Sequence, residues 1–231
     1  MPLKIVILGP AHPFRGGGIT TFNERLAKEF QDQGHEVSIL NFTVQYPAFL
    51  FPGKSQTTAE PPPAGIRIER KLHSMNPLNW IRTGQYLKKS RPDLVIVRYW
   101  LPLMGPAFGT VLRLAKKNRH TRIIAITDNV QPHEKRPGDT PFTRYFLRPC
   151  DAFITMSEKV LADLKKFQVH QPVLKLDHPL YDNFGAGVNK EEARRWLGIP
   201  PDKKLMLFFG FIGIGDVLLA WENEAYLALK E

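Results

Sequence analysis

Apolar and polar positions along this 231-residue chain switch repeatedly between two periods. Lys4-Ile5-Val6-Ile7-Leu8-Gly9 is a short apolar run that reads as a buried strand, and Ile19, Phe22, Leu26 and Phe30 recur at helical spacing, predicting an amphipathic helix over residues 19–30. Residues 10–18 join them as a loop closed by Gly16-Gly17-Gly18. The alternation continues with strands predicted over residues 36–42, 66–70, 94–97, 122–127, 152–156 and 173–176. Helices are predicted over 77–89, with Asn76 as N-cap and Pro77 at the first helical position, over 107–117, over 141–147, and from the cap Ser157 to 167. Strands interleaved with helices define an α/β chain with a doubly wound, mostly parallel, Rossmann-like sheet of roughly seven strands.

The pattern loosens at Asp182-Asn183-Phe184-Gly185-Ala186-Gly187, so residues 1–180 read as one domain and 181–188 as a linker. Residues 189–231 then read as the incomplete start of a second Rossmann-like domain. Asn189 and Glu192 make a capping-box pair before a helix over 193–197, Gly198 stops it, and residues 205–212 form another buried strand ending in glycine. Such a strand needs neighbours and two covered faces, which the residues after it do not supply.

The connection over residues 43–65 is long and proline-rich, and it carries Tyr46, Phe49, Leu50 and Phe51 around Pro47 and Pro52. A loop of this length inside a domain is usually functional or disordered. Its aromatics either meet a lipid headgroup region or glycan, or fold back on their own domain.

A hydrophobic content of 43% supports a sizeable core. No apolar run approaches the roughly 18 residues needed to span a bilayer, and residues 4–8 are too short for a signal peptide, so the cytoplasm is the expected compartment. The single cysteine, Cys150, beside Ala152-Phe153-Ile154, reads as a buried thiol. Lys and Arg number 32 against 22 acids, a net charge of +10, which calls for an anionic partner. No RNA-binding aromatic signature, zinc spacing or helix-turn-helix accompanies the charge, so an anionic membrane surface or phosphates fit better than nucleic acid. The basic clusters lie at 67–71, 88–91, 116–119 and 144–148, and each is also readable as a solvated face.

The strand–loop–helix step at the start lies at the carboxyl edge of a parallel sheet, where such folds bind ligands. Glycines let the backbone approach a ligand, and N–H groups at a helix start favour an anion; the plainer alternative is a tight turn. Neither standard phosphate motif fits. Ile19-Thr20 follows Gly18 where a Walker loop has Lys-Ser/Thr, and Thr21 stands at the third glycine of a dinucleotide fingerprint. The second strand runs into Asn41 where that fingerprint has an acid, so NAD and an oxidoreductase are disfavoured. Asn41-Phe42-Thr43 matches a glycosylation acceptor that a cytoplasmic chain does not use.

Gly9-Pro10-Ala11-His12-Pro13 through Gly16-Gly17-Gly18-Ile19, with Gly34-His35-Glu36-Val37 after the helix, resembles the opening of family-4 retaining glycosyltransferases of the GT-B fold. Asp128-Asn129-Val130-Gln131-Pro132-His133-Glu134, Met156-Ser157-Glu158 and Phe208-Phe209-Gly210-Phe211-Ile212 look like later landmarks of that family in the same order. The resemblance implies two Rossmann-like domains, the first gripping the acceptor and the second a nucleotide-sugar. It implies transfer of a sugar to a glycan or lipid-linked acceptor with retention, without metal or cofactor, the nucleotide-sugar being a co-substrate. The protein would then be cytoplasmic and peripheral at the inner face of the membrane.

Many relatives carry a His where this chain has Asp128, so the resemblance passes the catalytic role to Asp128 or His133. An Asp at a strand end accepts a hydrogen bond from an acceptor hydroxyl, as does a neutral His. It assigns substrate binding to Gly16, Gly17, Gly18, Asn129, Glu134, Ser157 and Glu158. Two departures concern the second domain. The Arg and Lys that neutralise the diphosphate in the family are missing from Gly210-Phe211-Ile212-Gly213-Ile214-Gly215-Asp216, and no spaced pair of Glu in the tail matches the donor-holding pair. The expectation is a truncated transferase, inactive alone; the alternative is a non-catalytic acceptor-binding or membrane-docking module.

Residues 1–231 alone are therefore expected to give no product with any nucleotide-sugar, since leaving-group charge goes unstabilised; product detected by mass spectrometry would refute this. Amide exchange is expected to be rapid after about residue 185, where an unfinished sheet is only weakly held.

Overall fold

A computed structural model describes residues 1–14, 17–47, 56–131, 137–179 and 185–205. By internal contacts the chain divides into two units, Met1–Pro179 and Leu180–Glu231. In the first, β1 (Lys4–Leu8), α1 (Gly18–Asp32), β2 (Glu36–Val44), β3 (Arg67–His73), α2 (Pro77–Ser90), β4 (Leu94–Tyr99), α3 (Gly105–Lys116), β5 (Arg122–Thr127), α4 (Asp139–Leu147), β6 (Ala152–Thr155), α5 (Glu158–Lys165) and β7 (Val173–Lys175) follow in order. The strands form one parallel sheet in the order β3-β2-β1-β4-β5-β6-β7, the doubly wound α/β architecture that the alternation of periods predicts.

Strand periodicity divides the apolar residues between two layers. Val6, Leu8, Leu40, Val95 and Val97 point to one face, where Leu87 of α2, Phe108, Val111 and Leu112 of α3, Phe146 of α4 and Leu164 of α5 cover them. Ile5, Ile7, Val37, Ile39 and Ile96 point to the other, against Ala27, Phe22, Leu26 and Phe30 of α1. α1 buries Thr20, Asn23 and Ala27 most deeply, so the inward stripe of this helix is partly polar. Cys150 is buried, and burial pushes its thiol far above the ordinary range.

Strand ends differ from the sequence reading in one consequential place. β4 continues past Val97 because Arg98 pairs with Ile126 and Tyr99 with Thr127 in the ladder to β5. Tyr99 is fully buried, stacked on Phe146 at 3.9 Å, with its hydroxyl 2.9 Å from Thr143 Oγ1. β2 and β3 also run longer, to Val44 and His73, through two register shifts. The expected caps form: Asn76 Oδ1 accepts from the amide of Asn79 at 3.1 Å, and Ser157 Oγ from that of Val160 at 3.2 Å.

Of the aromatics on the long connection, Tyr46 folds back on its own domain and is not an exposed contact. Its hydroxyl accepts from Trp100 Nε1 at 2.6 Å, and its backbone is held from both sides by the Gln56 amide. Phe49, Leu50 and Phe51 lie outside the described residues.

In the second unit, α6 (Lys190–Leu197) begins with Asn189 Oδ1 accepting from the Glu192 amide at 2.9 Å and ends at Gly198 in the left-handed conformation. The strand expected over residues 205–212 lies beyond the described residues except for Leu205.

α2 and α3 approach closely at Gly84, where an added Cβ would stand 2.7 Å from Leu114 Cβ and 3.1 Å from the Val111 carbonyl oxygen. Gly84→Ala is expected to cost about 1–3 kcal/mol by overpacking despite its better helix propensity, read as a lower urea midpoint at unchanged m.

Candidate functional site

In a doubly wound sheet the ligand crevice opens where successive strands reverse direction, at their carboxyl ends. Here that point lies between β1 and β4: β2 and β3 extend the sheet to one side, and β5, β6 and β7 to the other. Gly9 leaves the end of β1, Arg98 stands at the end of β4, and Asp128 follows β5 immediately, its amide donating to the Tyr99 carbonyl at 2.8 Å.

Arg98 and Asp128 form a two-pronged ion pair. Nε donates to Oδ2 at 2.5 Å and Nη2 to Oδ1 at 2.6 Å. The Arg98 side chain is only 3% exposed, whereas that of Asp128 is 21% exposed, so the carboxylate faces outward from a buried cation. The guanidinium also lies over the Phe22 ring at 4.1 Å, one turn into α1. Its third nitrogen, Nη1, is buried with no hydrogen-bond partner among the described residues. His178 meets the same Phe22 ring edge-on at 5.8 Å. Burial pushes the Asp128 carboxyl above its ordinary range, and the hydrogen bonds and charge of Arg98, helped by the charge of His178, draw it part of the way back.

Packing rather than chemistry fixes the loop after β1. A side chain at Gly9 would place its Cβ 2.8 Å from Asn23 Nδ2 and 3.4 Å from Arg98 Cβ, so this position must be glycine for α1 and β4 to close in. Asn23 Nδ2 donates to the Pro10 carbonyl at 2.8 Å. Asn41, fully buried at the place where a dinucleotide fold has its acid, donates to the Ala11 and His12 carbonyls at 2.7 and 2.9 Å. Glu24 Oε1 accepts from the His12 amide at 2.7 Å, and burial raises its carboxyl pKa. Gly17 is the N-cap of α1 and makes no side-chain cap hydrogen bond, and no acid stands in the first turn.

Among the residues that the sequence points to, Gly17 and Gly18 open α1 one turn before Phe22, whose ring lies against the Arg98 guanidinium. Asn129 accepts from the Gln131 amide at 3.2 Å, an Asx-turn just after β5. Ser157 and Glu158 sit at the end of β6, one strand further along the edge, where Ser157 Oγ caps α5 and Glu158 pairs with Lys175 at 3.2 Å. Gly16, His133 and Glu134 lie outside the described residues. The sequence reading omitted Arg98, Asn23 and His178. A cation directly after a β-branched strand and an Asn on the inward stripe of α1 were the available signals for the first two; His178 had none.

These features define a doubly wound α/β domain with a charged pair at its switch point. The model of Glycosyltransferase Family 4 matches residues 16–174, and the chain belongs to that family. No curated protein matches the chain. Among solved structures, the catalytic domain of starch synthase IV from Arabidopsis thaliana, bound to ADP and acarbose, is similar at 14% identity and TM-score 0.50, covering 88% of this chain and 61% of its own. An α-glucosyltransferase in complex with UDP and a 13-mer DNA is similar at 14% identity and TM-score 0.50, covering 78% and 44%. The UDP-N-acetylglucosamine 2-epimerase of Rickettsia bellii is similar at 14% identity and TM-score 0.47, covering 76% and 44%. The chain thus spans between 44% and 61% of the length of these structures, and the likeness to the first two is one of fold. No helix among the described residues is long and apolar enough to cross a membrane.

Arg98→Met is expected to destabilise the domain by roughly 3 kcal/mol, because it strands a part-buried carboxylate, and the double variant Arg98→Met/Asp128→Asn to recover at least about 1 kcal/mol of that. Because the folded Asp128 binds its proton more tightly than the unfolded chain does, its contribution to stability is present below about pH 3.8 and is lost as pH rises through the folded value. Asp128→Asn should flatten that segment of the stability curve, measured as urea midpoints across acidic pH.

Proposed function

We propose that this chain is the acceptor-side part of a retaining, metal-free glycosyltransferase that moves a sugar from a nucleotide-sugar to a glycan or lipid-linked acceptor. The observation that carries the reading is the Arg98–Asp128 pair at the switch point of a family-4 domain, one helical turn from the glycine-opened start of α1. Each Asp128 oxygen takes one N–H from Arg98 and keeps lone pairs for an acceptor hydroxyl. Held this way, the carboxylate orients that hydroxyl and favours its attack, with His133 as the alternative on the same segment. The helix start at Gly17 and Gly18 suits the negative charge of a donor diphosphate. UDP and ADP in two of the similar structures support a nucleotide-sugar as donor. Asn129, Ser157 and Glu158, with Gly16 and Glu134, complete the proposed substrate wall, and residues 189–231 would open the donor-side domain.

The second reading, a non-catalytic acceptor-binding or membrane-docking module, is favoured by the absence of any Lys or Arg in residues 210–216. Amide chemical shifts of the isotope-labelled chain, titrated with UDP-glucose, ADP-glucose and maltooligosaccharides, separate the two. The transferase reading expects shifts at Gly17, Gly18, Asp128 and Asn129 with both classes of ligand, lost for the saccharide in Asp128→Asn. Saccharide shifts without nucleotide shifts favour the module, and no shift along this edge overturns both.

A further inference from the structure

Leu78 and Ile81, 67% and 42% exposed, lie one turn apart at the start of α2, and Met75, 45% exposed, stands two residues before the helix. The inward side of this helix, Thr83, Gly84 and Leu87, is spent on the core and α3, so Leu78 and Ile81 belong to its outer stripe, with exposed Met75 just ahead of it. Positions 78, 81, 82, 85, 88 and 89 share that stripe by helical spacing, which places Arg82, Lys88 and Lys89 along it. All three are exposed, and none has an ion pair among the described residues. No Asp or Glu lies between Glu69 and Asp93, and none between Asp93 and Asp128. Glu69 is already held by Arg67 at 2.8 Å and Lys71 at 3.3 Å. An apolar tip continued by cations, with the neighbouring acid neutralised, is the profile of an interfacial helix.

We propose that the outer stripe of α2 docks on an anionic lipid bilayer, Met75, Leu78 and Ile81 entering the acyl boundary while Arg82, Lys88 and Lys89 hold the headgroups. A second copy of the chain is a poorer occupant, because two such stripes repel. The position also suits the activity: α2 begins at the carboxyl edge of the parallel sheet, beyond β3, four strand spacings or about 20 Å along that edge from the end of β5. A lipid-linked acceptor leaving the bilayer there would reach toward Asp128, and this part of the inference rests on the proposed function.

Flotation with vesicles of phosphatidylcholine, alone and mixed with phosphatidylglycerol, tests docking without donor or acceptor. The transferase reading can therefore fail while docking holds, and the reverse. Binding is expected on the anionic vesicles, weak on the neutral ones, and falling with salt. Leu78→Glu/Ile81→Glu should weaken it more than tenfold, and Leu78→Ser less. Lys88→Gln and Lys89→Gln should each weaken it about fivefold. Lys165→Gln, an equal charge loss on α5, should change nothing. An environment-sensitive thiol dye on Leu78→Cys, the native Cys150 being buried, should shift to the blue on binding. No binding to anionic vesicles overturns the proposal, as does equal weakening by Lys165→Gln and Lys88→Gln. Self-association that Leu78→Glu abolishes, with vesicle binding untouched, overturns it in favour of a dimer face. Circular dichroism on each variant separates loss of docking from loss of fold.

Discussion

A guanidinium closed off from solvent must be answered by an anion, and Arg98 is answered by Asp128. That requirement joins four elements at one point. β4 supplies the cation, the residue after β5 the carboxylate, α1 the Phe22 ring against the guanidinium, and Gly9 just after β1 the missing side chain that lets α1 and β4 close in. Removing one partner leaves a charge in a site built for two, so the pair holds the edge of the sheet in a single arrangement. Its asymmetry matters as much as its strength: the cation is shut in and the carboxylate reaches outward.

The loop after β1 shows a related economy of polar contacts. Asn23 and Asn41 are both buried, and both donate to backbone carbonyls of the loop. A buried amide is stable only when its hydrogen bonds are made, and here they hold the backbone of Pro10, Ala11 and His12. Asn41 stands where a dinucleotide-binding fold has an acid, so the same position that argues against NAD in the sequence latches the loop in the structure. Being fully buried, it is also closed to glycosylation.

One face of the domain is unusually one-sided in charge. Between Glu69 and Asp128 the chain through α2 and α3 holds Asp93 as its single acid, Lys116 of α3 being answered by Asp151 from further along the chain, whereas Lys28–Asp32 and Lys166–Asp163 pair within a turn. The site edge and the α2 tip open on the same end of the sheet, which is a consequence of parallel topology: every strand delivers its successor loop to that end.

The alternation of apolar periods, the caps at Asn76, Ser157 and Asn189 and the stop at Gly198 are local properties, and the sequence by itself determined them, together with the doubly wound sheet they build. The end of β5 was singled out by the family resemblance, which passes a role at that place to Asp128 or His133. Which residue meets it was not visible. Arg98 stands 30 positions before Asp128, and only the parallel register of β4 on β5 sets the two side by side; the strand as read from the sequence stopped at Val97, two residues short and just before Arg98. In the same way the sequence left Tyr46 open between an outward contact and folding back, because its partner Trp100 is remote in the chain. Local patterning fixes which segments fold and which faces turn inward, while pairing between distant segments, set by the reversal of strand order between β1 and β4, decided the site.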